Sequence, residues 1–184
     1  MIAALGDTSE AHTQVGSVTV TASRNISGFP LAPEMSTEYR QQIVKVIRSM
    51  FGQLQGTSLA AEAYDIEQVL ASSDLDARCS AAGSAAPRIG DKFLSSGGFY
   101  NEWPESRSIF LSTSGSFTVT VNGTEHIQVS STKGSVYEAT EAVSEILDKI
   151  QEIFSAQGFE INSELGFVTA DPELLGTQDL FCAS

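Results

Sequence analysis

Ser106–Gly134, SRSIFLSTSGSFTVTVNGTEHIQVSSTKG, is the stretch that decides the fold. It holds three apolar and β-branched runs, Ile109–Ser112, Phe117–Val121 and Ile127–Ser131, parted by Thr113-Ser114-Gly115-Ser116 and by a break opening on Asn122-Gly123. Phe117, Val119 and Val121 alternate with Thr118 and Thr120, the period of two expected of a strand with one face in a core. Asn-Gly favours the positive φ of a tight hairpin turn. The pattern is that of an antiparallel meander.

Outward from the meander, Val15–Ser23 alternates Val with Ser and Thr and predicts a strand, followed by a loop punctuated by Gly28-Phe29-Pro30 and Pro33. Ser36 is a candidate N-cap for a helix carrying Tyr39, Ile43, Val46, Ile47, Met50, Phe51 and Leu54. A shorter helix is predicted near Ala60–Leu70, and Cys79–Pro87, rich in Ala, Ser and Gly, reads as a loop. Ser135 and Glu138 form a Ser-x-x-Glu capping box ahead of an apolar stripe from Ala139 to Phe154, which Gly158 is placed to end. Leu165–Ala170 reads as a strand, then Asp171-Pro172 and a tail. Strands, a long helix and a further strand around one core give an α+β class, an antiparallel sheet flanked by helices. Residues 1–14 are small and polar and are expected to form a flexible arm, leaving 15–184 as one domain.

Composition excludes some partners. Of 184 residues, 41% are hydrophobic and 18% charged, ordinary for a soluble globular chain, and the formal net charge is −13. That charge repels phosphate backbones and anionic lipid, so neither nucleic acid nor a membrane surface is expected as a partner. No apolar run nears the roughly 20 residues of a transmembrane helix, and Met1–Leu5 lacks a signal peptide's basic start. Cys79 and Cys182 are too few for a disulfide framework or a CxxC metal site. Asn25-Ile26-Ser27 and Asn122-Gly123-Thr124 match the glycosylation acceptor pattern by chance.

Chemistry-bearing motifs are scarce. There is no phosphate-binding Gly-x-x-x-x-Gly-Lys-Ser/Thr loop, no His-Glu-x-x-His and no Gly-x-Ser-x-Gly elbow. Ser114-Gly115-Ser116 is a turn. His12 and His126 are lone histidines, His126 expected to be structural or surface-exposed and not catalytic, and Arg24, Arg88 and Arg107 are isolated cations read as surface residues or structural pairs.

Six segments taken together carry more. Arg24-x-x-x-Gly28-Phe29-Pro30, Gly90-Asp91-Lys92-Phe93-Leu94, Trp103-Pro104-x-x-Arg107-x-Ile109, Asn122 with Glu125-His126, Leu165–Thr169 and Leu175-Gly176-Thr177 stand in order from about Val15 to Cys182. Together they resemble the phosphagen kinases, the ATP:guanidino phosphotransferases that include arginine and creatine kinase. The resemblance implies part of that family's glutamine-synthetase-like catalytic domain, truncated: the helical N-terminal domain and everything after Leu175-Gly176-Thr177 are absent from this stretch.

The departures from the family pattern point to a lost site. By the resemblance, Thr19 and Thr21 stand where two arginines grip ATP phosphates, and Gln128 where a third does. Leu180 replaces an arginine after Leu-Gly-Thr, Thr124 the carboxylate that holds the guanidinium, Asp171 the reactive cysteine, and Ser84 the histidine against adenine. Phosphoryl transfer depends on positioning and on cations around the transferring group. Each charge-assisted hydrogen bond contributes roughly 1.5–3 kcal/mol, so losing four arginines can exceed the ~8 kcal/mol behind micromolar nucleotide affinity. The resemblance thus implies a pseudoenzyme with no catalytic, cofactor-binding or metal residues and no cofactor, acting as a structural or accessory subunit among the protein subunits of a larger complex. The alternative is a divergent or split phosphotransferase completed by another chain, with Arg24 and Arg107 as its family-like cations. A guanidino-binding regulatory module is disfavoured by Thr124. The family works in cytosol, mitochondria and cilia, so the compartment stays open: intracellular, including an organelle reached by a presequence since lost.

Overall fold

The computed structural model describes residues 16–84, 89–90, 92–170 and 179–183. The elements in order are β1 (Val18–Arg24), a 3₁₀ turn (Ala32–Glu34), α1 (Thr37–Gln53), β2 (Ala61–Asp65), α2 (Ile66–Ala71), α3 (Ser73–Ala81), α4 (Lys92–Ser96), β3 (Ser108–Ser112), β4 (Phe117–Val121), β5 (Ile127–Lys133), α5 (Val136–Ile153), β6 (Ile161–Asn162), β7 (Gly166–Phe167) and β8 (Asp179–Ala183). The predicted arm, with His12, and the positions of Arg88 and Asp171 lie outside the described residues.

The meander forms as its alternation requires. β3, β4 and β5 pair antiparallel, with Phe110 opposite Val119 and Val119 opposite Val129. β1 adds beside β5, β8 beside β1, and β2 beside β3, giving one six-stranded sheet in the order β2-β3-β4-β5-β1-β8. Its two faces bury different chemistry. On the first, Val18, Val20, Val119, Val121 and Val129 meet Ile43, Ile47 and Phe51 of α1 and Val143, Ile146 and Ile150 of α5. Phe51 stacks on Phe110 with ring centroids 4.9 Å apart. On the second face, α2 and α3 pack on the β3 side, through Ile66, Val69, Cys79 and Ala82 against Ile109 and Leu111.

Both long helices start where the sequence caps them. Ser36 accepts from the Tyr39 N–H and Ser135 from the Glu138 N–H, at 3.3 Å for the latter. Ser135→Ala is therefore expected to cost about 1 kcal/mol, read as a lower urea midpoint with an unchanged slope.

Four local expectations are corrected. Ala61–Asp65, expected to be helical, is an edge strand, because β3 offers it a ladder from Ala61–Ser112 to Asp65–Ser108. Only residues 66–71 of that segment are helical. Cys79–Ala81, expected in a loop, ends α3, which Ser72 caps and which buries Cys79 completely. The Asn122 break is a wider loop than a two-residue hairpin: Val121 faces Ile127, the Asn122 N–H reaches the His126 carbonyl at 2.9 Å, and Asn122 itself takes φ 58. At the C-terminal end, the strand at Leu165–Ala170 shrinks to Gly166–Phe167, and the tail contains β8. Asn25 and Asn122, the two acceptor-pattern asparagines, are 1% and 2% exposed, so neither side chain can reach a glycosylation enzyme in the folded state.

Candidate functional site

Strand register assembles the candidate site on the second face. Side chains alternate faces along a strand, so the cross-strand rows fix which residues share it. One row runs Thr120, Gln128, Ser23, the next Thr118, Ser130, Thr21, and a third joins Thr132 to Thr19. Leu180 lies opposite Thr21 in the β1–β8 register. Thr19, Thr21, Gln128 and position 180, separate in sequence, thus come together on adjacent strands. Across β4, β5 and β1 this face holds Thr, Ser and Gln and no charged residue.

The hydroxyls on it are largely spent on one another. Thr19 Oγ1 meets Thr132 Oγ1 at 2.8 Å, and Thr21 Oγ1 meets Ser130 Oγ at 2.9 Å. Ser84 Oγ, leaving the end of α3, meets Thr120 Oγ1 at 3.1 Å. Thr118 Oγ1 is buried with no hydrogen-bond partner. Such a surface offers an anion neutral donors only, far weaker than guanidinium forks.

Three of the described arginines are held by groups away from this face. Arg107 is 2% exposed; its Nη1 donates to the carbonyls of Glu102 and Glu105, both at 3.3 Å, and its Nη2 to those of Phe99 and Asn101, both at 3.0 Å. Its guanidinium also lies 5.0 Å from the centre of the Trp103 ring. Burial, then repulsion from Arg40, pushes its pKa down to about 10, which leaves it charged at neutral pH. Arg40, missed from the sequence, is 1% exposed and pairs with Glu102 at 3.0 Å; burial lowers its pKa and Glu102 opposes that. Its helical spacing on α1 hides a charge among apolar neighbours. Arg24 sits 3.9 Å over the Phe167 ring and donates to the Ser23 carbonyl.

The loop after β4 is held by buried hydrogen bonds. Asn122 Nδ2 donates to the carbonyls of Arg40 and Ser106, at 3.0 and 2.7 Å. Glu125, 1% exposed, accepts from the Asn25 side chain and from the Ala170 N–H at 3.1 Å, tying the segment after β7 to the loop after β4. His126 is fully buried: Nδ1 accepts from the Ile26 N–H at 2.9 Å, and Nε2 lies 2.8 Å from the Pro30 carbonyl, which fixes the neutral tautomer protonated at Nε2. Burial pushes its pKa down to about 4. Of the two expectations for His126, structural or surface-exposed, it is the buried one that the structure has, while Thr124 is half-buried. Among the described residues no group of three His, Cys, Asp or Glu could hold a metal ion, and no helix is long and apolar enough to cross a membrane.

Residues 42–178, well over half of the chain, match the C-terminal catalytic domain of the ATP:guanido phosphotransferases. The chain belongs to that family. Among its relatives in the family, an arginine kinase from Anthopleura japonica is 28% identical over 93% of this chain and 23% of its own length. A taurocyamine kinase from Schistosoma mansoni is 29% identical over 89% of this chain and 21% of its own. An arginine kinase from Artemia franciscana is 27% identical over 94% and 47%. The solved structure of the duplicated Schistosoma mansoni taurocyamine kinase with transition state analog components superposes with a TM-score of 0.76 at 27% identity, over 92% of this chain and 23% of that one. Lombricine kinase shares the fold, with a TM-score of 0.80 at 21% identity over 92% and 47%. This chain therefore spans less than half of the length of each of these relatives.

Proposed function

We propose that this chain keeps the family's catalytic-domain scaffold without phosphoryl transfer, and serves as a structural or accessory subunit of a larger protein assembly. The observation carrying this is the uncharged face across β4, β5 and β1, where Thr19, Thr21 and Gln128 meet in adjacent rows. A triphosphate there would find no guanidinium from those strands, in a chain whose net charge is −13. Arg24 and Arg107 are held by an aromatic ring and by backbone carbonyls. On this proposal the described residues include no catalytic, nucleotide-binding or metal residue. For the partner half, exposed apolar side chains such as Phe93 (87%), Ile161 (61%) and Leu165 (55%) supply surface that another subunit would cover.

The kinase names of the relatives favour a second reading, a divergent or split phosphotransferase whose cations come from another segment or chain. Calorimetric titration with Mg-ATP separates the two. The expected result is no binding tighter than about 100 μM, roughly 5.5 kcal/mol. Tighter binding, together with transfer of phosphate to a guanidino compound followed by phosphorus NMR, would establish the enzyme instead. Size-exclusion chromatography tests the subunit half, and a stable, well-behaved monomer would count against an obligate partner.

A further inference from the structure

We propose that the C-terminal turn of α3, Ala82–Ser84, is a built-in plug: a backbone strap that shuts the hydroxyl face of the sheet against a phosphate-bearing ligand. This goes beyond the loss of cations, since a face can be stripped and still stand open. The turn closes as a Schellman motif, with the Gly83 N–H on the Ser80 carbonyl at 3.1 Å and the Ser84 N–H on the Cys79 carbonyl at 3.0 Å. Gly83 takes φ +104. More telling is what lies beneath it. A Cβ at position 83 would sit 2.8 Å from Thr19 Cγ2, 3.0 Å from Thr132 Oγ1 and 3.3 Å from Ser130 Cβ. The main chain of Gly83 therefore rests directly on β1 and β5, and the neighbouring Ser84 bonds Thr120 of β4 at 3.1 Å. One turn spans three strands.

The strap is anchored rather than loose. Cys79 and Ala82 are both fully buried against Ile109 and Leu111, so lifting it would break the apolar contact that holds α3 to the sheet. Glycine at 83 and a short side chain at 19 are complementary: a long side chain at position 19 would have to pass through the Gly83 backbone. Filling, not only neutralisation, obstructs this face where the turn lies over Thr19, Thr120, Ser130 and Thr132.

A double-mutant cycle tests the contact. Gly83→Ala is expected to lower Tm by about 5–10 °C. Part of that drop comes from the positive φ and stays local. The part that comes from Thr19 Cγ2 should be relieved when Thr19→Ser removes that methyl, so the pair should recover a third or so of the drop. Strictly additive drops would overturn the seating on Thr19.

Ser84→Cys/Thr120→Cys supplies a second measurement that does not depend on position 83. With oxidised glutathione as oxidant, the two engineered thiols lose two electrons and two protons to give one disulfide, leaving two molecules of reduced glutathione. Hydroxyls 3.1 Å apart put positions 84 and 120 in direct side-chain contact, so the cross-link, mapped by mass spectrometry, is expected in the folded chain and not in urea. Its absence from the folded chain would overturn the plug. Its rate should also be unchanged by millimolar Mg-ATP. A marked slowing would show a gate that a nucleotide lifts, and would equally overturn a permanent closure.

Discussion

Arg107→Ala is expected to lower unfolding stability by about 3–4 kcal/mol, read as a drop in urea midpoint, with Arg107→Lys recovering less than half of it. Four carbonyls, those of Phe99, Asn101, Glu102 and Glu105, converge on one guanidinium, and the side chain is 2% exposed. A hydrogen bond to a charged group contributes roughly 1.5–3 kcal/mol, but such values do not add. Asn101, Glu102 and Glu105 are exposed residues, so water can replace part of what their carbonyls lose. The sum is pulled down accordingly. Relief of repulsion with Arg40 lowers it further, and loss of packing against Trp103 raises it. Lysine fails for a geometric reason: a single ammonium on a flexible stem cannot reproduce a fork addressing carbonyls on two sides. Should Arg107→Ala leave stability within about 0.5 kcal/mol of the parent, the carbonyl cluster is incidental. The outcome also bears on function, because an arginine holding a loop from inside is not free to hold a phosphate.

How far the fold could be read in advance depended on whether a segment's own chemistry decides its state. Phe117–Val121 alternates strictly and buries Phe117, Val119 and Val121 where that alternation puts them. In α5, Ala139, Val143, Ile146, Leu147 and Ile150 repeat at helical spacing and are all buried. By contrast Ala61–Asp65, Tyr64 apart, is built of residues with weak strand preference. It is extended because β3 has an edge to fill, and nothing local reports a neighbour 43 to 51 residues away. α3 was hidden for the opposite reason. It buries little beyond Cys79, with Ala82 just past its end, so its apolar stripe is too sparse to register, though Ser72 followed by Asp74 and Asp76 is a usable start signal. Asn122 was legible as a left-handed residue and misleading as a turn, because its side chain serves Arg40 and Ser106 across the molecule.

The candidate site was legible only through family resemblance, and only as a set of columns. Composition and spacing say nothing about Thr19, Thr21 and Gln128, which as isolated residues are ordinary strand positions. Register makes them neighbours. The strap over them was out of reach altogether, since a glycine after a run of Ala and Ser announces flexibility and not a close approach of backbone to sheet. Nor does sequence reveal that Arg40, the buried partner of Glu102, exists as a fixed charge inside the fold.

Acid is expected to destabilise this chain through His126, over a window set by that residue alone. Folded, its pKa is pushed down to about 4, against an ordinary value near 6.5, because burial penalises the imidazolium. Between those two values the unfolded chain binds the proton and the folded chain does not. The stabilisation is therefore complete above pH ~7, falls as pH drops through 6.5, and is fully lost only below about 4. A depression of this size corresponds to about 3 kcal/mol at its full extent. The structural cause is specific: Nδ1 accepts from the Ile26 N–H, and a proton on Nδ1 would set two donors against each other. Ile26 in turn carries the chain into the Asn25 and Glu125 network that holds Ala170, so the loss spreads from the end of β1 to the segment after β7. Carboxylates titrate in the same range, and the comparison that isolates the histidine is His126→Gln, whose amide keeps one acceptor and one donor and does not titrate. Urea unfolding of both chains from pH 7.5 to 4.5 should show the gap between them narrowing by roughly 2–3 kcal/mol towards acid. Parallel curves would mean that the imidazole is not held neutral, and with it would go the assignment of His126 as a purely structural link between β5 and the loop after β1.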